Sequence, residues 1–212
     1  MIEIHNVSKK FGNTLSLDNL TLTFKKDDCV ALMGPNGAGK TTLIRLILGY
    51  YHPNNGTVLI NGLDPIKERI NVLQNISFVP QLPPPIKLNL DELIGYACKS
   101  TKIERDAIIH FAKEMELDLV PNLNKSFFKL SGGMKQKMLI AISLARQSDI
   151  IIYDEPTANL DPKARDNFHR LLKSEARSKT ALFVTHRLDE MKELVNRQIY
   201  MDLGKVLSDE TL

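Results

Sequence analysis

An α/β fold, with a β-rich opening and a helical lobe inserted into it, is what the sequence predicts. Three observations carry that prediction. The apolar run Cys29-Val30-Ala31-Leu32-Met33 ends in a glycine-rich loop that opens a helix. Further short runs, Ile76-Ser77-Phe78-Val79, Ile150-Ile151-Ile152-Tyr153 and Ala181-Leu182-Phe183-Val184, have the near-continuous hydrophobicity of buried strands. Between Asn89 and about Ser148 strand character vanishes and the pattern is helical. The 212 residues suit one domain. Its core is expected at about 1–81 and 149–212, and its helical subdomain at about 82–148.

The elements follow in order. Ile2 and Ile4, then Leu15 and Leu17, then Leu20, Leu22 and Phe24 alternate with polar residues, the period of half-buried strands. Thr42 to Leu48 reads as a helix stopped by Gly49. Asn55-Gly56 and Asn61-Gly62 bracket a strand at Thr57–Ile60. Pro83-Pro84-Pro85 excludes helix interior and central strand, and is expected to be stiff and extended. Asp161-Pro162 reads as an N-cap followed by proline at the first helical position, opening a helix to about Arg177. Short β segments return around Ile199–Met201 and Lys205–Leu207.

Bulk properties narrow the function. The 28 basic and 25 acidic residues leave a net charge of +3, too even for the basic stripe of a nucleic-acid binder. Cys29 and Cys98 form no CxxC and have no histidine at metal-ligand spacing, so neither a disulfide nor a zinc site is expected. An acid near the start, Met1-Ile2-Glu3-Ile4, is unlike a signal peptide, and no run approaches the ~18 apolar residues of a membrane span. A cytoplasmic chain is expected.

Gly34-Pro35-Asn36-Gly37-Ala38-Gly39-Lys40-Thr41 fills the pattern GxxxxGK[ST] between a strand and a helix. Glycines let the backbone approach a phosphate, and successive N–H groups form an anion nest at a helix N-terminus. Lys40 is suited to the β- and γ-phosphates, the Thr41 hydroxyl to Mg²⁺, and Thr42 to a further phosphate contact. Asp154 and Glu155 end an apolar strand, where ligands bind in open α/β sheets. Asp154 is suited to hold Mg²⁺ and Glu155 to polarise an attacking water.

Leu130-Ser131-Gly132-Gly133-Met134 then precedes another helical run. Ser131, Gly132 and Gly133 at that helix start make a second anion site. One triphosphate needs one such element, so the second is best used on another chain's nucleotide.

On these motifs the sequence resembles the ATP-binding-cassette (ABC) family, over essentially the whole chain and in the family's order. Phe11 is similar to the aromatic that stacks on adenine. Gly34 to Thr42, with Asn36, Gly37, Ala38, Gly39, Lys40 and Thr41, resemble the Walker A loop. Gln81 resembles the Q-loop glutamine that touches Mg²⁺ and the attacking water. Leu130 to Met134 resemble the signature, Ile150 to Glu155 the Walker B strand, and Ala158-Asn159-Leu160-Asp161 the D-loop. His186, after Thr185, resembles the switch histidine that contacts the γ-phosphate. Met134 departs from the usual glutamine, and Lys137 stands where arginine is common.

The resemblance implies the P-loop NTPase core of an ABC ATPase. It implies ATP and Mg²⁺ as cofactors and a sandwich of two such subunits, most simply a homodimer. It implies membrane-spanning permease subunits on separate chains, and a peripheral place on the inner face of the cell membrane. A non-transport cytoplasmic ATPase of the family, in cofactor assembly or translation, is the alternative reading. The segment from Gln81 to about Tyr96 is expected to lie beside the surface that meets the membrane partner. Leu88, Leu90, Leu93 and Ile94 there suit either a docking helix or the core of the lobe.

Overall fold

The computed structural model describes residues 1–175 and 178–212. The end expected at about Arg177 for the helix opened by Asp161-Pro162 lies outside the described residues.

Three antiparallel strands open the chain. β1 (Ile2–Phe11) pairs with β2 (Thr14–Phe24) on one side and with β4 (Asn55–Ile60) on the other. Ile2, Ile4 and Val7 of β1 are fully buried, as are Leu17 and Phe24 of β2. Register shifts interrupt the β1–β2 ladder beyond Ile4, so the alternation seen at Ile2 and Ile4 does not run the length of the strand.

A second sheet has the order β5-β6-β7-β3-β8-β9. β3 (Cys29–Met33) runs parallel to β7 (Thr180–Val184) and β8 (Arg197–Asp202), and β9 (Lys205–Thr211) closes the sheet antiparallel to β8. Every residue of β7 is buried, which explains its unbroken apolar sequence. β5 (Ile76–Val79) and β6 (Ile150–Asp154) complete the sheet.

Two compact units divide the chain. The first comprises Met1–Ile76, Asp149–Ile152 and Ser178–Leu212. It holds α1 (Lys40–Ile47), whose Leu43, Ile44, Leu46 and Ile47 are buried while Arg45 is exposed. It also holds the short α2 (Arg69–Gln74) and α7 (Leu188–Met191).

The second unit comprises Ser77–Ser148 and the segment that starts at Tyr153. Its helices are α3 (Leu90–Thr101), α4 (Arg105–Glu114), α5 (Gly132–Ala145) and α6 (Pro162–Glu175). Asn89 starts α3 with a reciprocal cap: its side chain accepts from Glu92 N and the Glu92 carboxylate accepts from Asn89 N, both at 2.8 Å. α3 buries Leu90, Leu93 and Ile94, so those three belong to the core and offer nothing to a partner. Leu82 and Tyr96 are instead exposed, at 76% and 65%. Pro83–Pro85 is not uniformly extended: Ile86 N donates to Pro84 O at 2.8 Å, a tight turn centred on Pro85.

Candidate functional site

The phosphate-type loop lies wholly in the first unit. Gly34 has a φ of 138°, and a Cβ there would lie 2.0 Å from Met201 O. Gly39, the residue before α1, has a φ of 100°, and its Cβ would lie 2.6 Å from Ser16 O. Neither position admits a side chain, so the neighbouring backbone fixes the loop's two ends. Between them Pro35, Asn36 and Gly37 are exposed, and Ala38 is buried against the fold. Gly204 N donates to Ala38 O at 3.1 Å, which ties the loop to the β8–β9 turn.

Lys40 is buried, and its ammonium donates to Gly34 O at 2.7 Å and to Pro35 O at 2.9 Å. The cation is thus stored inside the loop, curled on the carbonyls at its entrance. Thr41 is exposed at the first turn of α1. The Thr42 hydroxyl lies 2.8 Å from that of Ser16, a partner on β2 that carries no motif and was invisible in the sequence. α1 has no acid in its first turn, so its N-terminal field is left for an anion. In the same unit Phe11 ends β1 and is 43% exposed, and His186 is exposed just beyond β7. Thr185 before it is buried, and its hydroxyl accepts from Arg187 N at 2.9 Å, bending the chain at the histidine.

The second unit carries the remaining candidates. Gln81 is exposed after Val79-Pro80. Asp154 ends β6, and Glu155 follows with a φ of 48°. A non-glycine residue held in the left-handed region stores about 1–2 kcal/mol of strain, a feature that gathers at functional sites. Ala158 N donates to Glu155 O at 3.2 Å and closes the turn that holds it. The Tyr153 hydroxyl, fully buried, lies 3.0 Å from Ser143 Oγ on α5, so the residue before the acids is fastened to the helix that begins with the glycine pair. Burial pushes the Tyr153 phenol well above its ordinary range.

Ser131 is the N-cap of α5, its hydroxyl accepting from Met134 N at 3.2 Å. Gly132 and Gly133 form the first turn, which carries no acid. A Cβ on Gly133 would lie 3.0 Å from Asn159 O, so this glycine permits close approach of the 158–161 segment. Asp161 caps α6 through Ala164 N at 2.9 Å and pairs with Lys137 Nζ at 3.0 Å. The Ala164 N–H first, and Lys137 second, hold the Asp161 carboxyl below its ordinary value. The structure thus brings the serine–glycine helix start and Asp161 onto adjoining elements. Lys137 as their link was not legible, because nothing in its local pattern distinguishes it from a solvated lysine.

The oxygens of Thr41, Gln81 and Asp154 are a hydroxyl, a carboxamide and a carboxylate, hard donors of the kind Mg²⁺ takes. Among the described residues no helix is long and apolar enough to cross a membrane.

Comparison with known proteins gives the chain's family. The family model described as ABC transporter matches residues 17–158. Nod factor export ATP-binding protein I of Burkholderia lata is 33% identical, over 98% of this chain and 70% of its own length. A dimeric structure of a bacterial ABC transporter cassette is similar with a TM-score of 0.85 at 30% identity, covering 100% of this chain and 99% of that one. A dimeric cassette in a post-hydrolysis state, bound to ADP and phosphate, matches with the same TM-score at 29% identity and the same coverage.

Proposed function

The chain belongs to the ABC transporter family, and from that premise we propose that two copies clasp two ATP molecules face to face and drive membrane-spanning subunits on separate chains. As a member of that family it is an ATP-binding, ATP-hydrolysing subunit. The observation that supports the clasp is that, among the described residues, two helices have acid-free, glycine-flanked starts, α1 and α5. One triphosphate occupies one of them. The other, capped by Ser131, serves the nucleotide of the second copy.

The roles follow from the chemistry of each group. Gly34, Asn36, Gly37, Ala38 and Gly39 cradle the phosphates with backbone N–H groups. Lys40 turns from the carbonyls of Gly34 and Pro35 to the β- and γ-phosphates, and Thr42 donates beside it. Phe11 stacks on the adenine. Glu155 accepts a proton from the attacking water and aims its lone pair at the γ-phosphorus; His186 and Gln81 hold the γ-phosphate and that water. Thr41, Asp154 and Gln81 would hold Mg²⁺, which when bound neutralises charge on the β- and γ-oxygens. Ser131, Gly132, Gly133 and Asp161 face the other copy's ATP.

Closure does work because ATP touches both copies only in the closed state, so its differential affinity shifts the equilibrium. The lobe at about 82–148 would receive the permease through exposed Leu82 and Tyr96, on the cytoplasmic face of the membrane. Glu155→Gln tests the scheme. It is expected to slow hydrolysis by roughly 10²–10⁴ while ATP still binds, so that ATP and Mg²⁺ double the mass seen by light scattering. A variant that retains over about half of normal turnover removes Glu155 from the role of base.

A further inference from the structure

An exposed aromatic ring at the end of a strand has free rotamers, and a base that stacks on it must first order it. Phe11 is such a ring, but it is not left to rotate. Tyr51 meets it edge-to-face, with centroids 5.0 Å apart and planes at 68°. The Lys9 ammonium lies 5.1 Å from the Phe11 centroid and 5.7 Å from that of Tyr51, and donates to His52 O at 2.7 Å. β1 is held to this segment again by Lys10 N, which donates to Asn54 Oδ1 at 2.7 Å.

Tyr51 is itself anchored. Arg45 Nη1 donates to its hydroxyl at 2.7 Å, and the Arg45 guanidinium lies 5.6 Å from its ring centre. Arg45 is on α1, the helix whose first residue is Lys40. A continuous set of contacts therefore runs from Phe11 through Tyr51 to the helix that begins at the phosphate loop. A core role does not account for it, because Arg45 and Phe11 are both exposed and Tyr51 is only half-buried.

We propose that Tyr51 is a positioning residue of the nucleotide site, which braces Phe11 as a platform for the base and sets that platform at a fixed distance from the phosphate loop. The proposal rests on the reading of Phe11 as the base-stacking aromatic. Pre-ordering the ring improves binding of a ligand that has a base and does nothing for one that lacks it.

The experiment compares ATP with inorganic tripolyphosphate, which has the phosphates and no base, by titration calorimetry on the intact chain and on Tyr51→Ala, Arg45→Gln and Phe11→Ala. Tyr51→Ala is expected to weaken ATP binding roughly two- to tenfold, the worth of one aromatic pair. It leaves tripolyphosphate affinity unchanged and raises KM for ATP without lowering kcat. Arg45→Gln, which keeps the ring and cuts its tie to α1, shows the same selectivity with a smaller effect, and serves alone if Tyr51→Ala does not fold. Equal weakening of ATP and tripolyphosphate overturns the proposal, because the phosphate loop itself would then have been disturbed. So does an unchanged ATP affinity in the folded Tyr51 and Arg45 variants when Phe11→Ala has lost affinity. An unchanged ATP affinity in Phe11→Ala overturns the reading of Phe11 and this proposal with it.

Discussion

Lys137 Nζ lies 3.0 Å from Asp161 Oδ2, joining α5, the helix that begins at Gly132-Gly133, to the N-cap of α6, the helix that follows Asp154 and Glu155. Lys137 is almost buried while the Asp161 carboxylate is half-exposed, so the lysine has crossed its own helix surface to reach the rim. Asp161 does two things at once, since its other oxygen accepts from Ala164 N at 2.9 Å.

Those two tasks separate by substitution. Asparagine caps a helix as well as aspartate but forms no ion pair; alanine does neither. Asp161→Asn is expected to lower Tm less than Asp161→Ala, as read by calorimetry. Equal losses would assign the whole effect to the ion pair. The pH dependence has a fixed sign. The carboxyl is held below its ordinary value of 3.8, so its stabilisation is complete above 3.8 and fades only as pH falls through the lowered folded value. The gap in Tm between wild type and Asp161→Ala is therefore expected to stay constant from pH 7 to pH 5 and to close only in stronger acid.

The glycine-rich loop between β3 and α1 was legible as a loop geometry because its requirements are local. Gly34 and Gly39 need positive φ, a strand must precede and a helix must follow, and all of this lies within one short window. Links made by tertiary packing left no such trace. Phe11 meets Tyr51 only because β1 pairs with β4, and Lys137 meets Asp161 only because α5 lies against the 158–161 turn. The short α2 was missed for another reason: it buries Val72 alone and has no side-chain cap, so it has neither periodicity nor punctuation. In α3 the i, i+3, i+4 spacing of Leu90, Leu93 and Ile94 was a core pattern, and all three are buried.

Tyr153 and Ser143 form a buried pair at 3.0 Å. Tyr153→Phe keeps the ring edge-to-face with Phe168 and removes the hydroxyl from Ser143. It is expected to cost about 1–2 kcal/mol in urea unfolding, as is Ser143→Ala. If the bond contributes, the double variant costs less than the sum by about 1 kcal/mol. Strict additivity would show that the two hydroxyls are independent.

Cys29 starts the strand that leads into the phosphate loop, and burial pushes its thiol from 9.0 up to about 12. The unfolded chain therefore loses this proton before the folded one does. Its contribution is intact below pH 9 and is lost as pH rises toward 12. Cys29→Ala removes that term, so between pH 8 and pH 10.5 its stability should fall less than that of wild type in parallel urea melts. Identical slopes would show a thiol that titrates normally in the fold.

Under the proposed clasp, Lys40 meets the chain's own ATP and Ser131 the ATP of the other copy. Lys40→Ala takes the cation from the loop, so ATP affinity of the single chain is expected to drop by roughly tenfold or more, as for loss of a charge-assisted bond. Ser131→Arg puts bulk at the start of α5 and removes the hydroxyl that caps Met134 N. Monomer affinity for ATP is expected to survive that change, while the ATP-dependent doubling of mass and the hydrolysis it supports are lost. Mixing the two variants is the stronger form of the test. A mixed dimer has one site built from the intact phosphate loop of the Ser131→Arg chain and the intact Ser131 of the Lys40→Ala chain, and its other site carries both defects. Mixing therefore restores one working site if Ser131 acts on the other copy's nucleotide. If Ser131 acts on its own chain's nucleotide, each site keeps one defect and no activity returns. Recovery of ATP turnover on mixing supports the face-to-face clasp; its absence, with both variants folded and Ser131→Arg still binding ATP, assigns both anion sites to a single nucleotide.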